Sequence, residues 1–183
     1  MTDPPVAPVP EPQVLAPPDR TDPPFVAGER AMLEAWLDFH RATLLVKCAG
    51  LSESQLRTRS VPPSSLSLLG LVRHMTEVER GWFRRVLTGE EVAPEYYSDA
   101  EPDGEFDLVD DADVDRDLAT HRAEVTTCRG IAAQHDLDAV GTRPQLGVPV
   151  SLRWIYLHMI EEYARHNGHA DLLRERIDGV TGH

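Results

Sequence analysis

The chain has 183 residues, 41% of them hydrophobic, a formal net charge of -13 and two cysteines, Cys48 and Cys128. That is enough for one ordinary domain with a buried core. It excludes a membrane span, since no apolar run nears roughly 18 residues, a disulfide framework, and a basic, aromatic-interleaved nucleic-acid surface. The charge is concentrated: Glu90 to Asp117 holds thirteen acidic residues against Arg116 alone, -12 of the total, and reads as a solvated acidic loop. The N-terminus has neither a basic n-region nor an apolar h-region, so it is read as no secretory signal and the protein as cytoplasmic. Both cysteines fall in helical patterns and are expected as buried, reduced thiols.

Residues 1–24 contain nine prolines and few large apolar residues. Such a segment buries too little surface to offset its ordering entropy, so it is expected as a disordered, dispensable tail, with the domain spanning 25–183. The first helix is expected from Gly28 to Cys48, with Met32, Leu33, Trp36, Leu37, Phe39, His40, Thr43 and Leu44 at helical spacing. Gly50 is its stop, and Ser52-Glu-Ser-Gln55 reads as a capping box opening a short turn. The second helix is expected from Leu66 to Leu87, with Ser65 as N-cap and Gly89 as its end. Leu68, Leu71, Val72, Met75, Val78, Trp82 and Val86 form its buried stripe.

The third helix is expected from Ala112 to Gln134, entered through Asp111 or Asp113. The fourth runs from Leu152 to Ile177, with Ser151 as N-cap and Gly179 after its end. No strand pair is convincing, because Val148-Pro149-Val150 is short and contains proline. Four long helices without a sheet predict an all-α four-helix bundle. The long connection from Gly89 to Asp111 allows the second and third helices to run parallel.

The placement of the eight histidines carries the chemistry. His74 lies midway along the second helix. His158, Glu162, His166 and His169 lie on the fourth, within about 80° of one another around the axis. That is a polar stripe where a bundle helix should be apolar. His158 and His166 are roughly 12 Å apart along the axis, too far for bonds of about 2.0 to 2.2 Å to one ion. The i, i+4 pairs His158/Glu162 and Glu162/His166 and the i, i+3 pair His166/His169 are within reach. Adding His74 gives a metal set of His74, Glu162 and His166, with His158 and His169 as neighbouring supports. Three protein ligands leave a coordination position open, the mark of a catalytic site. A buried polar stripe without an ion would be hard to satisfy. His40 and His121 are expected as single core histidines. No Ser/His/Asp or Cys/His nucleophile set is present, so no catalytic residue is expected beyond the ligands.

Three segments carry a family resemblance: ERAMLEAWLDFHRATLLVKCAGLSESQL from Glu29, VPPSSLSLLGLVRHMTEVERGWFRRVLTGE from Val61, and SLRWIYLHMIEEYARHNGHADLLRERIDGVTG from Ser151. Together they resemble the mycothiol transferase group of the DinB-like superfamily of metal-dependent four-helix proteins. The resemblance implies an up-down-down-up bundle. It also implies a divalent metal, zinc first and nickel, iron, manganese or cobalt as alternatives, held by His74 and two ligands a turn apart on the fourth helix. In Glu162-Tyr-Ala-Arg-His166-Asn-Gly-His169, Glu162 stands at a position often held by His, and either Glu162 or His169 completes the set. The implied activity is thiol S-transfer in detoxification, with mycothiol as co-substrate, or bacillithiol or glutathione, conjugated to a small electrophile. Arg153, Tyr156 and Arg165 are candidates for holding the thiol's polar body. Neither nucleic acid nor membrane is an expected partner, and a homodimer is open. The alternatives are a non-catalytic metal-binding stress protein and a mycothiol-dependent isomerase.

Overall fold

A computed structural model describes residues 15–143 and 146–182. Among these the chain is mostly helical, with one two-stranded sheet. Helix α1 (Glu29–Cys48) buries Leu37, Leu44 and Cys48. Helix α2 (Glu53–Arg57) opens with the expected capping box: Ser52 Oγ accepts the Gln55 N–H at 3.3 Å, and Gln55 Oε1 accepts the Ser52 N–H at 3.0 Å.

Helix α3 (Leu68–Glu79) starts later than the sequence suggests. Its cap is Ser67, not Ser65, with Oγ accepting the Gly70 N–H at 3.0 Å. The preceding Ser64 instead holds a turn through the Leu66 N–H. From Arg80 to Thr88 the same helix continues as a π-helix, ending at Gly89 with φ +71°. That wider winding was not expected, and π segments are frequent beside functional sites. A short helix, α4 (Gly104–Asp107), interrupts the acidic run and rests on α3. Helix α5 (Val114–Ala133) is capped by Asp113, one of the two expected entries, and α6 (Leu152–Asp178) by Ser151, as expected.

The expectation of no strand pair is corrected. Strands β1 (Val140–Arg143) and β2 (Val148–Ser151) pair antiparallel, with Gly141 opposite Val150 and Thr142 opposite Pro149. A two-stranded ribbon consists only of edge strands, where a proline without an N–H is tolerated.

The contacts between helices run in consistent directions. Arg153 bonds Glu29, Asn167 bonds the His40 carbonyl and Asp171 pairs with Lys47, so α1 and α6 run the same way. Arg73 pairs with Asp117, and Arg80 with Glu124, so α3 and α5 also run the same way. Tyr163 bonds Glu79 while Trp82 meets Trp154, so α3 and α6 run oppositely. The shared core includes Leu37, Leu71, Met75, Phe83, Leu118, Ile155 and Met159. Both cysteines are buried and free, and burial raises the Cys48 thiol to about 12.

The expected tail lies outside the described residues from 1 to 14. Residues 15–24 form neither helix nor strand, but they touch the helices. The Leu15 carbonyl accepts the Gly50 N–H at 2.9 Å, Leu15 packs against the core, and the Arg20 guanidinium lies 4.9 Å from the Phe39 ring centre. Among the described residues no helix is long and apolar enough to cross a membrane.

Candidate metal centre

Helices α3 and α6 cross where His74 faces His166. The two rings lie 4.7 Å apart, and His166 Nε2 is 3.4 Å from Glu162 Oε2. One donor atom from each of His74, Glu162 and His166 lies within 4.8 Å of the others. Helical spacing explains the α6 half, since residues four apart share a face. The antiparallel crossing of α3 supplies His74. All three side chains are mostly buried, at 23%, 14% and 13% exposure.

His74 is held by a residue that sequence reasoning missed. Glu105 on α4, only 8% exposed, places Oε1 3.3 Å from His74 Nδ1, and Phe106 stacks on the His74 ring at 5.1 Å. A carboxylate on Nδ1 assigns the proton to that nitrogen and leaves Nε2 with its lone pair, the usual support of a metal-binding imidazole. Burial alone would raise the Glu105 carboxyl, but its hydrogen bond to His74 brings it net below the ordinary range. Helix α4 begins at Gly104, where a Cβ would stand 2.4 Å from the Tyr96 carbonyl oxygen, so only glycine lets it pack against the 96 region. The available signal was a glycine and a phenylalanine within an otherwise acidic run.

Burial first, and the neighbouring His74 next, push the His166 imidazole down to about 4, so its ring is neutral at pH 7. Two imidazoles and a carboxylate form a donor set suited to zinc and to other divalent ions. His169 is not in the converging group: its Nδ1 sits 3.4 Å from His166 Nδ1, on the other side of that ring. His158 stacks on Trp154 at 4.9 Å and meets Trp82 at 4.6 Å, with Nε2 3.8 Å from Glu162 Oε1. With Glu161 and Glu162 it forms a second, more exposed donor group.

His40 and His121 lie elsewhere. His121 is buried against Thr76, Nδ1 to Oγ1 3.2 Å, and burial lowers it to about 4. The candidates for holding a thiol are partly spent. Arg153 pairs with Glu29 and Asp138 near the start of α6, and the Tyr156 hydroxyl donates to Glu34 at 3.2 Å. Arg165 lies beside the centre, 3.6 Å from Glu162, and is paired with Glu161.

A pocket of about 300 Å³ opens beside His74, lined by Glu105, Trp82, Arg85, Tyr97 and Arg143 among others. A larger cavity of about 570 Å³ lies between α1, α5 and residues 18–24 and includes none of the three converging residues.

Fold and site together define a helical protein with a mostly buried His, Glu, His cluster, one member of which, His74, also lines a small pocket. The family described as Mycothiol-S-transferase matches residues 32–179. The chain belongs to that family, the mycothiol transferase group of the DinB-like superfamily. No curated protein and no solved structure matches it.

Proposed function

We propose that this chain is a metal-dependent S-transferase that joins a low-molecular-weight thiol, mycothiol, to a small electrophile in the cytoplasm. One observation carries the reading: His74, Glu162 and His166 converge within 4.8 Å in a chain of this family, and His74 also lines a pocket. The directions of the helix contacts support an up-down-down-up four-helix bundle, with α3 and α6 as the ligand-bearing pair. A divalent ion, zinc by donor chemistry, would be held by these three residues and would supply a Lewis acid that makes a thiol ionise near neutral pH.

The chain's own residues have distinct tasks. Glu105 keeps the proton on His74 Nδ1, and Phe106 fixes the plane of that ring. Glu162 contributes the negative charge of the set. The walls formed by Trp82 and Tyr97 exclude water from the reacting sulfur and hold the electrophile close to it. The thiol supplies the nucleophile, so no side-chain nucleophile is required, and both cysteines stay in the core.

The test compares metal-loaded and chelated protein with mycothiol and a bromobimane. S-conjugation should be accelerated when loaded, fall on chelation and recover on adding the ion. Equal rates for the two forms across several electrophiles would favour a non-catalytic metal-binding protein. Turnover with substoichiometric thiol, and no sulfur in the product, would favour an isomerase.

A further inference from the structure

The pocket beside His74 has two chemically different ends. At the inner end, Glu105 bonds His74 with one oxygen, while its other oxygen, Oε2, is buried without a hydrogen-bond partner. A negative group placed there meets like charge. At the outer end the Arg143 guanidinium lies 5.5 Å from the Trp82 ring centre, and no ion pair to Arg143 is found among the described residues. Arg85 is already engaged, by the Tyr97 hydroxyl at 3.0 Å and Glu77 Oε2 at 3.4 Å. Among the described residues Arg143 therefore has the Trp82 ring as its neighbour and no carboxylate partner.

Its position is built in. Strand β1 lies so close to the π segment that a Cβ on Gly141 would stand 2.1 Å from the Val86 carbonyl oxygen and 2.5 Å from Leu87 Cα. Only glycine permits that approach. Two residues on, Arg143 shares the strand face of Gly141 and so turns toward the π segment that carries Trp82. The Trp82 ring is buttressed from α6 by Trp154 at 5.0 Å and His158 at 4.6 Å. Strand β2 ends at Ser151, the cap of α6, which ties the hairpin to the ligand-bearing helix.

We propose that this pocket is the electrophile subsite and that Trp82 and Arg143 select small planar electrophiles bearing a carboxylate. The ring packs beside the Trp82 indole, the carboxylate meets Arg143, and the reacting carbon points toward His74, away from the charge-matched end. The inference rests on the thiol-transfer reading. A pocket of about 300 Å³ is at the small end of ligand sites and fits one substituted ring.

The probes are 4-chloro-3-nitrobenzoate and its neutral methyl ester. In each, a C–S bond forms at the chlorine-bearing carbon, the C–Cl bond breaks with its electron pair leaving on chloride, and the thiol proton goes to solvent. Relative to the uncatalysed rates, wild-type kcat/KM should favour the carboxylate over the ester by about tenfold, the worth of one charge-assisted hydrogen bond. Arg143→Gln should lower the carboxylate's kcat/KM about tenfold more than the ester's. A separate arm needs no thiol chemistry: 3-nitrobenzoate should quench tryptophan fluorescence saturably, with a Kd about tenfold weaker in R143Q. Conjugation without discrimination, with equal 3-nitrobenzoate binding by both proteins, overturns the proposal and leaves the transferase reading standing. Arg143-dependent binding of 3-nitrobenzoate without conjugation of either probe or of the bromobimane overturns the transferase reading and keeps the anion site.

Discussion

Substituting Glu79 with Gln should strongly destabilise this protein. Glu79 is fully buried. Arg41 grips both its oxygens, each at 2.7 Å, and the Tyr163 hydroxyl donates to Oε1 at 3.0 Å. These bonds join α1, α3 and α6; Glu79 lies five residues after His74, and Tyr163 directly follows Glu162. The Arg41 side chain is 6% exposed, and its other partner is the more exposed Asp38 at 3.0 Å. Glu79→Gln keeps the shape but leaves a buried guanidinium without its main counter-charge. Breaking such a pair costs about 3–5 kcal/mol. At about 2–4 °C per kcal/mol for a chain of this size, Tm should fall by about 6–20 °C. Thermal and urea unfolding followed by far-ultraviolet circular dichroism measure this. The triple variant R41M/E79L/Y163F removes the charges and the orphaned hydroxyl together, and should recover most of the loss. If E79Q lies within about 1 kcal/mol of wild type, or the triple variant is the less stable, the reasoning fails.

His121 gives the fold a pH dependence. Its folded pKa is lowered to about 4 from an ordinary 6.5, so the unfolded chain binds the extra proton between those values. Its contribution is present above pH 6.5 and lost as pH falls toward 4, about 3 kcal/mol in all. Urea midpoints of wild type minus His121→Leu should therefore converge on acidification, and a pH-independent difference would contradict this. Gly141→Ala should destabilise by about 1–3 kcal/mol and weaken 3-nitrobenzoate binding, because the strand must lift from the π segment; unchanged unfolding and binding would show that the close approach is unimportant. A chain shortened to begin at Leu15 should melt with the full chain, whereas one beginning at Phe25 should melt several degrees lower, since it loses Leu15 from the core edge and the partner of the Gly50 N–H. Equal melting of all three would support the view of 1–24 as wholly dispensable.

What was legible in the sequence was local and periodic. The turn-spaced Glu162 and His166 declare one face of a helix, and Ser52, Asp113, Ser151, Gly89 and Gly179 mark element ends through their own chemistry. What escaped depends on distant packing. Glu105 looks like any other member of an acidic run, and only the docking of α4 on α3 buries it. The π winding of 80–88 carries no spacing signature, because the same apolar residues suit an α-helix. The hairpin was hidden by Pro149, which argues against a central strand and says nothing against an isolated ribbon. Ser65 and Ser67 are equivalent caps to a reader of sequence; the turn held by Ser64 decides between them.

The central claim is that His74, Glu162 and His166 hold an ion whose remaining position takes a thiol sulfur. Cobalt(II) reports this directly, since sulfur bound to cobalt adds a charge-transfer band in the near ultraviolet. Titrating mycothiol into cobalt-loaded protein should raise such a band to saturation at one thiol per ion, with one ion per chain, and both ion and band should be lost in His74→Ala and His166→Ala. Full cobalt occupancy in those two variants, or a loaded wild type that shows no band at saturating thiol, would contradict the account.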